Sequence, residues 1–186
     1  MSDVTVIRCC APTLARIKTG SLFNCAFDSR REMIAAMTRL NRELSRKGVR
    51  AIPLRWRNGK CLIYVYRPQM LSEDLSDEKA VRLLRECGYT SLSPAACVTE
   101  LFHRLRREED FPHEIGLFLG YPPEDVDGFI HRRDAFKCVG LWKVYGDESS
   151  AKQTFARCRR CTEAYLRQHE RGYSLQRLCV AAHKAV

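Results

Sequence analysis

A chain of 186 residues, 45% hydrophobic and 29% charged, is long enough to bury a core and too apolar for a disordered segment. No apolar run approaches the length of a membrane span, and the start Met1-Ser-Asp-Val-Thr-Val-Ile-Arg8 lacks the basic and long apolar regions of a signal peptide, so a cytoplasmic protein with no membrane partner is expected. The net charge is +10, and residues 1–66 hold 13 Lys/Arg against 4 Asp/Glu, which points to an anionic ligand or partner.

In chain order, the first clear helix is expected at Ser29. Ser29 and Glu32 fit a capping box, Ile34, Met37, Leu40 and Leu44 recur at helical spacing, and Gly48 ends the run. A β-hairpin follows. Asn58-Gly59 is the favoured two-residue turn between Ala51–Arg57 and Lys60–Tyr66. That turn pairs Arg57 with Lys60, Trp56 with Cys61, Leu54 with Ile63 and Ile52 with Val65, so these apolar residues share an inward face. Arg55, Arg57, Lys60, Leu62, Tyr64 and Tyr66 then face outward.

Three further helices are predicted: over 77–87 with Val81, Leu84 and Cys87 inward, from Ser93-Pro94 with Cys97, Leu101 and Leu105 inward, and a short one from Pro123. Residues 113–119 fit either a buried strand or a helical turn. Cys138–Tyr145 reads as one strand, a long helix runs from Asp147 to about Gln168, and residues 174–184 form a last short helix. The order implies a single α+β domain spanning 1–186, with helices packed on a mostly antiparallel sheet of about four strands.

Four segments carry a resemblance: Cys10-Ala-Pro-Thr-Leu-Ala15 with Lys18 and Leu22-Phe23, Tyr64-Val-Tyr-Arg-Pro68, His113-Glu-Ile-Gly-Leu-Phe-Leu-Gly-Tyr-Pro122, and Trp142-Lys-Val-Tyr-Gly-Asp147. Through them nearly the whole chain resembles a family of small bacterial proteins, common in clostridia and relatives, classed as a domain of unknown function. The resemblance implies a cytosolic, anaerobe-like setting and transfers no activity.

The leading functional expectation is a pocket for a small anionic ligand or cofactor, built from segments 10–18, 113–121 and 143–147. Cys10, Thr13, Lys18, Lys143, Tyr145 and Asp147 are its expected ligand-binding residues, with lysine as the point charge. If the pocket is catalytic, His113 is the proton-transfer group, with Glu114 beside it and Tyr121 orienting the substrate. The plainer alternative has His113 capping a turn, Glu114 pairing with an arginine and Asp147 starting the last long helix.

Two other classes compete. Arg55, Arg57 and Lys60 beside Tyr64 and Tyr66 combine phosphate-binding charge with stacking rings, as in a nucleic-acid or polyanion-binding module. Ten cysteines without an export signal are expected to be reduced thiols. Cys158 and Cys161, one helical turn apart, are the candidate pair for a thiol-based iron, zinc or redox role, although the pattern lacks a second such pair.

Overall fold

A computed structural model describes residues 1–107 and 111–182. The chain is α+β, with a three-stranded antiparallel sheet and a separate two-stranded one. It divides into two compact units, Met1–Gln69 with Arg160–Val186, and Met70–Arg159.

The first unit opens with helix α1 (Asp3–Leu14), which the sequence reading missed. Its β-branched start and its Pro12 disguise a helical stripe of Val6, Ile7, Cys10, Ala11 and Leu14, all buried. Ser2 caps it by accepting the Thr5 amide, and Pro12 lies close enough to the end for its carbonyl to take the Ile17 and Lys18 amides. Strand β1 (Gly20–Ala26) follows and was likewise unforeseen. Helix α2 (Arg30–Leu44) starts at the expected Ser29 cap, whose hydroxyl accepts the Glu32 amide. Its inward stripe is Met33, Met37, Leu40 and Leu44; Ile34 points out and is 59% exposed.

Strands β2 (Arg50–Arg57) and β3 (Lys60–Tyr66) form the expected hairpin, with positive φ at both Asn58 and Gly59. The register is as predicted only near the turn, at Arg57–Lys60 and Trp56–Cys61. Between Pro53 and Arg55 it shifts by one residue, so that Pro53 pairs with Ile63, Ala51 with Val65 and Ile52 with Tyr64. Proline has no amide to donate to the ladder, and a bulge that leaves the neighbouring Leu54 unpaired accommodates it. Before the bulge, Ala51 rather than Ile52 is buried in the core, whereas Leu54 is buried and Trp56 packs against the core.

Strand order is β1-β3-β2, which makes β3 central and buries Cys61–Val65 throughout. Tyr64 and Leu62, expected outside, are therefore buried. Asn41 of α2 closes the β2 edge, its side-chain amide exchanging two hydrogen bonds with the Ala51 backbone at 2.8 and 2.9 Å.

The most buried charge in this unit is Arg67, 2% exposed. Its guanidinium donates to the carbonyls of Thr13, Leu14, Lys47 and Val180 at 2.6–3.1 Å. The first two are exposed by the end of α1, where a cation complements the helix dipole. The fourth ties down the chain after helix α9 (Leu175–Leu178), which is shorter than the predicted 174–184 helix. Positions 183–184 of that prediction lie outside the described residues. Burial pulls the Arg67 pKa down from its ordinary value, yet four acceptors keep the group charged.

In the second unit, α3 (Pro68–Leu75) leads into α4 (Glu78–Glu86), capped by Asp77, and α5 (Pro94–Arg107), capped by Ser93. In α4 the buried residues are Ala80, Leu83 and Leu84, a slight rotation from the predicted stripe. The 113–119 segment is a helical turn, α6 (Ile115–Phe118), and α7 (Pro123–His131) starts at Pro123 as expected. The predicted strand 138–145 is instead a small hairpin, β4 (Cys138–Val139) with β5 (Lys143–Val144). Gly140 interrupts it because the Phe155 ring lies where a Cβ would be, at 2.2 Å. Helix α8 (Glu148–Glu170) follows.

Replacing Arg67 by Met keeps its bulk but removes the charged donor shared by four carbonyls, three of which keep only a backbone amide, from Arg16, Val180 and Ala182. The variant is expected to lose about 3 kcal/mol or more of stability, read as a fall in the urea midpoint.

Candidate functional site

The site is built on the α7 N-terminus. Pro123 sits at the first helical position, where a missing amide costs nothing, and places Asp125 in the first turn. Asp125 is 3% exposed, yet its carboxylate is well supplied with donors. One oxygen accepts the Tyr145 and Gly146 amides, each at 2.7 Å, and the other accepts the Trp142 indole N–H at 2.6 Å. Three short charge-assisted bonds and the positive end of the helix offset the cost of burying the charge. The result clamps the β4–β5 hairpin onto α7.

With its N–H held, the Trp142 ring has a set orientation. It stacks on Tyr121 at 4.6 Å between centroids and meets the edge of Phe155 at 4.6 Å. The Tyr121 hydroxyl donates to the Leu141 carbonyl at 3.3 Å. Gly128 lets the other end of the hairpin approach: a Cβ there would lie 2.3 Å from the Tyr145 ring.

This framework encloses an open cavity of about 340 Å³. Its walls are Phe111, Ile115, Gly116, Val126, Phe129, Leu141 and Trp142, and its polar lining comes from His113, Tyr121, Asp125 and Lys143. Of these four, Asp125 is occupied by the clamp and Tyr121 by Leu141. Burial, with Cys158 nearby, pushes the Tyr121 phenol up to about 12, so it is protonated at neutral pH.

His113 and Lys143 share one cationic neighbourhood. His113 Nε2 lies 2.9 Å from an Arg133 guanidinium nitrogen. Arginine only donates, so His113 accepts on Nε2 and carries its proton on Nδ1. Its ring meets Phe129 edge-on at 4.9 Å. The Lys143 ammonium lies 4.6 Å from the Phe136 centroid and 5.7 Å from that of Phe129, with the Arg133 carbonyl 3.4 Å away.

Two of the three segments expected to form a pocket thus meet, through His113, Tyr121 and Lys143. Tyr145 supports the cavity from behind, its hydroxyl donating to the Arg133 carbonyl at 3.0 Å. Asp147 caps α8, accepting the Ser150 amide and hydroxyl, which holds its carboxyl below the ordinary range. Glu114 is buried away from His113. It accepts the Tyr89 hydroxyl at 3.1 Å and pairs with Arg104 at 3.6 Å, while burial and the Glu114 charge raise the Tyr89 pKa. The first segment belongs to the other unit. There Cys10 is fully buried in the core, the Thr13 hydroxyl is bonded to Ser21 at 2.9 Å, and Lys18 follows α1; none of them lines the cavity.

The outer hairpin face differs from its expected form. Arg57 and Lys60 are exposed and Arg55 is half-buried. Tyr64, however, is fully buried as part of the central strand and stacks flat on Tyr66 at 4.6 Å. Tyr64 therefore offers no free ring face to a base. Cys158 is buried on α8, and Cys161 packs against the core of the first unit. All ten cysteines are free thiols, and among the described residues no group of three or more His, Cys, Asp or Glu is arranged to hold a metal.

Asp125, Trp142 and Arg133 were not among the predicted site residues. Asp125 had a sufficient local explanation as a helix-start acid, and only its three distant donors distinguish it. Trp142 lies in a stretch that reads as a strand, without a sign of which partner its indole would need.

A family model described as protein of unknown function (DUF3793) matches residues 6–179. No curated protein and no solved structure matches the chain.

Two outcomes test this geometry. Asp125→Ala leaves one buried and two part-buried donors without their acceptor and is expected to cost about 2–4 kcal/mol in denaturant unfolding, with a red shift of Trp142 emission. Because the folded Tyr121 pKa is raised above the unfolded value, its stabilising contribution is complete below pH 10 and is lost as pH rises through about 12. Ultraviolet difference titration of the protein against Tyr121→Phe should therefore show one phenol ionising near pH 12.

Proposed function

We propose that this chain, which belongs to the protein family of unknown function DUF3793, binds a small organic anion with an aromatic or apolar body in the cavity between α6, α7 and the β4–β5 hairpin. The observation that carries the reading is the division of the lining. One side is aromatic and aliphatic, and the polar groups beside it, Lys143 and His113 with Arg133 behind, are cationic or donor-bearing. A largely pre-formed apolar pocket with a few convergent polar groups is the usual form of a small-molecule site. About 340 Å³ falls at the lower end of the range for such pockets, suited to a bicyclic ring or a short chain.

Each part has a stated role. Trp142 and Phe129 contribute aromatic surface to the lining. The ammonium of Lys143, held over aromatic rings, supplies a point charge that a carboxylate or phosphate can reach. The reading is one of binding, since His113 spends Nε2 on Arg133 and Tyr121 spends its proton on Leu141.

The test uses a matched pair of probes, 2-naphthoate and 2-naphthamide, followed by quenching of Trp142 in a Trp56→Phe background. Naphthoate is expected to bind about tenfold more tightly than the amide, and Lys143→Met to abolish that preference while retaining the amide's affinity. Equal affinity for both probes, or no effect on Trp142 by either, would overturn the proposal.

A further inference from the structure

The three-stranded sheet has two edge strands, β1 and β2, and the chain treats them differently. β2 carries the devices that keep an edge from pairing with another chain. Pro53 lacks an amide, the bulge between Pro53 and Arg55 breaks the ladder, and Arg50, Arg55 and Arg57 add charge. Asn41 occupies the Ala51 amide and carbonyl as well. β1 has none of these. Its sequence Gly20-Ser-Leu-Phe-Asn-Cys-Ala26 contains no proline and no charged residue, and its register with β3 runs without a shift.

The ladder fixes where the β1 backbone groups point. The Phe27 amide donates to the Gly59 carbonyl and the Arg67 amide to the Thr19 carbonyl, each between directly opposed residues. Odd-numbered β1 residues therefore bond to β3, and the even-numbered ones aim their amides and carbonyls away from it. These are Gly20, Leu22, Asn24 and Ala26. Gly20 is buried, whereas Leu22 is half-buried and Asn24 and Ala26 are exposed. Among the described residues the Leu22 and Asn24 main-chain groups meet no hydrogen-bond partner, and the Ala26 carbonyl meets only the Cys25 thiol, at 3.5 Å. The open stretch is thus Leu22–Ala26, centred on Asn24.

We propose that β1 pairs antiparallel with β1 of a second copy of this chain, joining their two sheets into one. A dyad at Asn24 sets Leu22 opposite Ala26, and Asn24 opposite its own counterpart. Every one of these residues has outward backbone groups, so each opposed pair exchanges both of its bonds. No like charges meet across the dyad, and the Asn24 side chain, both donor and acceptor, complements its own copy. The open stretch is therefore its own partner by charge, parity and hydrogen-bonding type. A second copy also brings a strand that is already formed, without the ordering cost that a loose peptide carries. The blocked β2 edges leave no site for a third copy, so the assembly closes as an isologous dimer.

The experiment is sedimentation velocity of the full chain from about 1 to about 200 μM, at physiological salt, which screens the net charge of +10. A dimer is expected. Asn24→Lys alters only an exposed side chain but opposes two like charges at the dyad, and should raise the dissociation constant about tenfold or more. Asn24→Pro removes an outward amide and no bond to β3, so it should keep the circular dichroism of wild type and lose the dimer. Amide exchange read by NMR gives a second measure: Leu22 and Asn24 should be protected in the dimer and exchange freely on dilution. A wild type that stays monomeric throughout that range overturns the proposal. So does a dimer that both variants leave intact, or one in which those two amides exchange freely.

Discussion

The cavity depends on a buried carboxylate. Asp125 gathers two backbone amides and an indole N–H from a hairpin that has only two residue pairs of its own. Such a hairpin has too few ladder bonds to hold itself in place. The clamp therefore does what a longer sheet would otherwise do: it gives the hairpin a position, and through Trp142 it gives the cavity a wall. Glycine at 128 and 140 is the steric counterpart, since side chains there would enter the rings of Tyr145 and Phe155.

The first unit solves the complementary problem with the opposite charge. Arg67 lies inside it and meets main-chain carbonyls from three separate stretches of chain, around residues 13–14, 47 and 180. A guanidinium suits that task because its donors fan out in a plane and its charge survives burial. In both units a buried ionic side chain organises irregular backbone, where regular secondary structure leaves polar groups to be satisfied.

What was legible in the sequence follows from the range of the forces involved. The Ser29 cap, the Asn58-Gly59 turn and the start of α7 at Pro123 are local, decided by dihedral preferences and hydrogen bonds within a few residues. Helix α1 was missed because Val4-Thr-Val-Ile7 favours a strand by residue type while its burial is helical. In β2 the alternation was sound only as far as Pro53, whose lack of an amide coincides with the slip in register. For the candidate site, His113, Tyr121 and Lys143 stood out by side-chain chemistry. Arg133 did not, since one arginine among many has no local mark.

By itself, the sequence determined the α+β class, most helix starts and the hairpin turn. Each rests on contacts between near neighbours or on hydrophobic period. Only the tertiary structure decided that Asp125 is a buried acceptor, that Tyr64 lies inside a central strand and that Cys10 and Thr13 are buried within the first unit. Those outcomes depend on partners distant in the chain: Trp142 for Asp125, and β1 for the central position of β3. A local pattern records a residue's chemistry, whereas its burial and its partners are properties of the assembled chain.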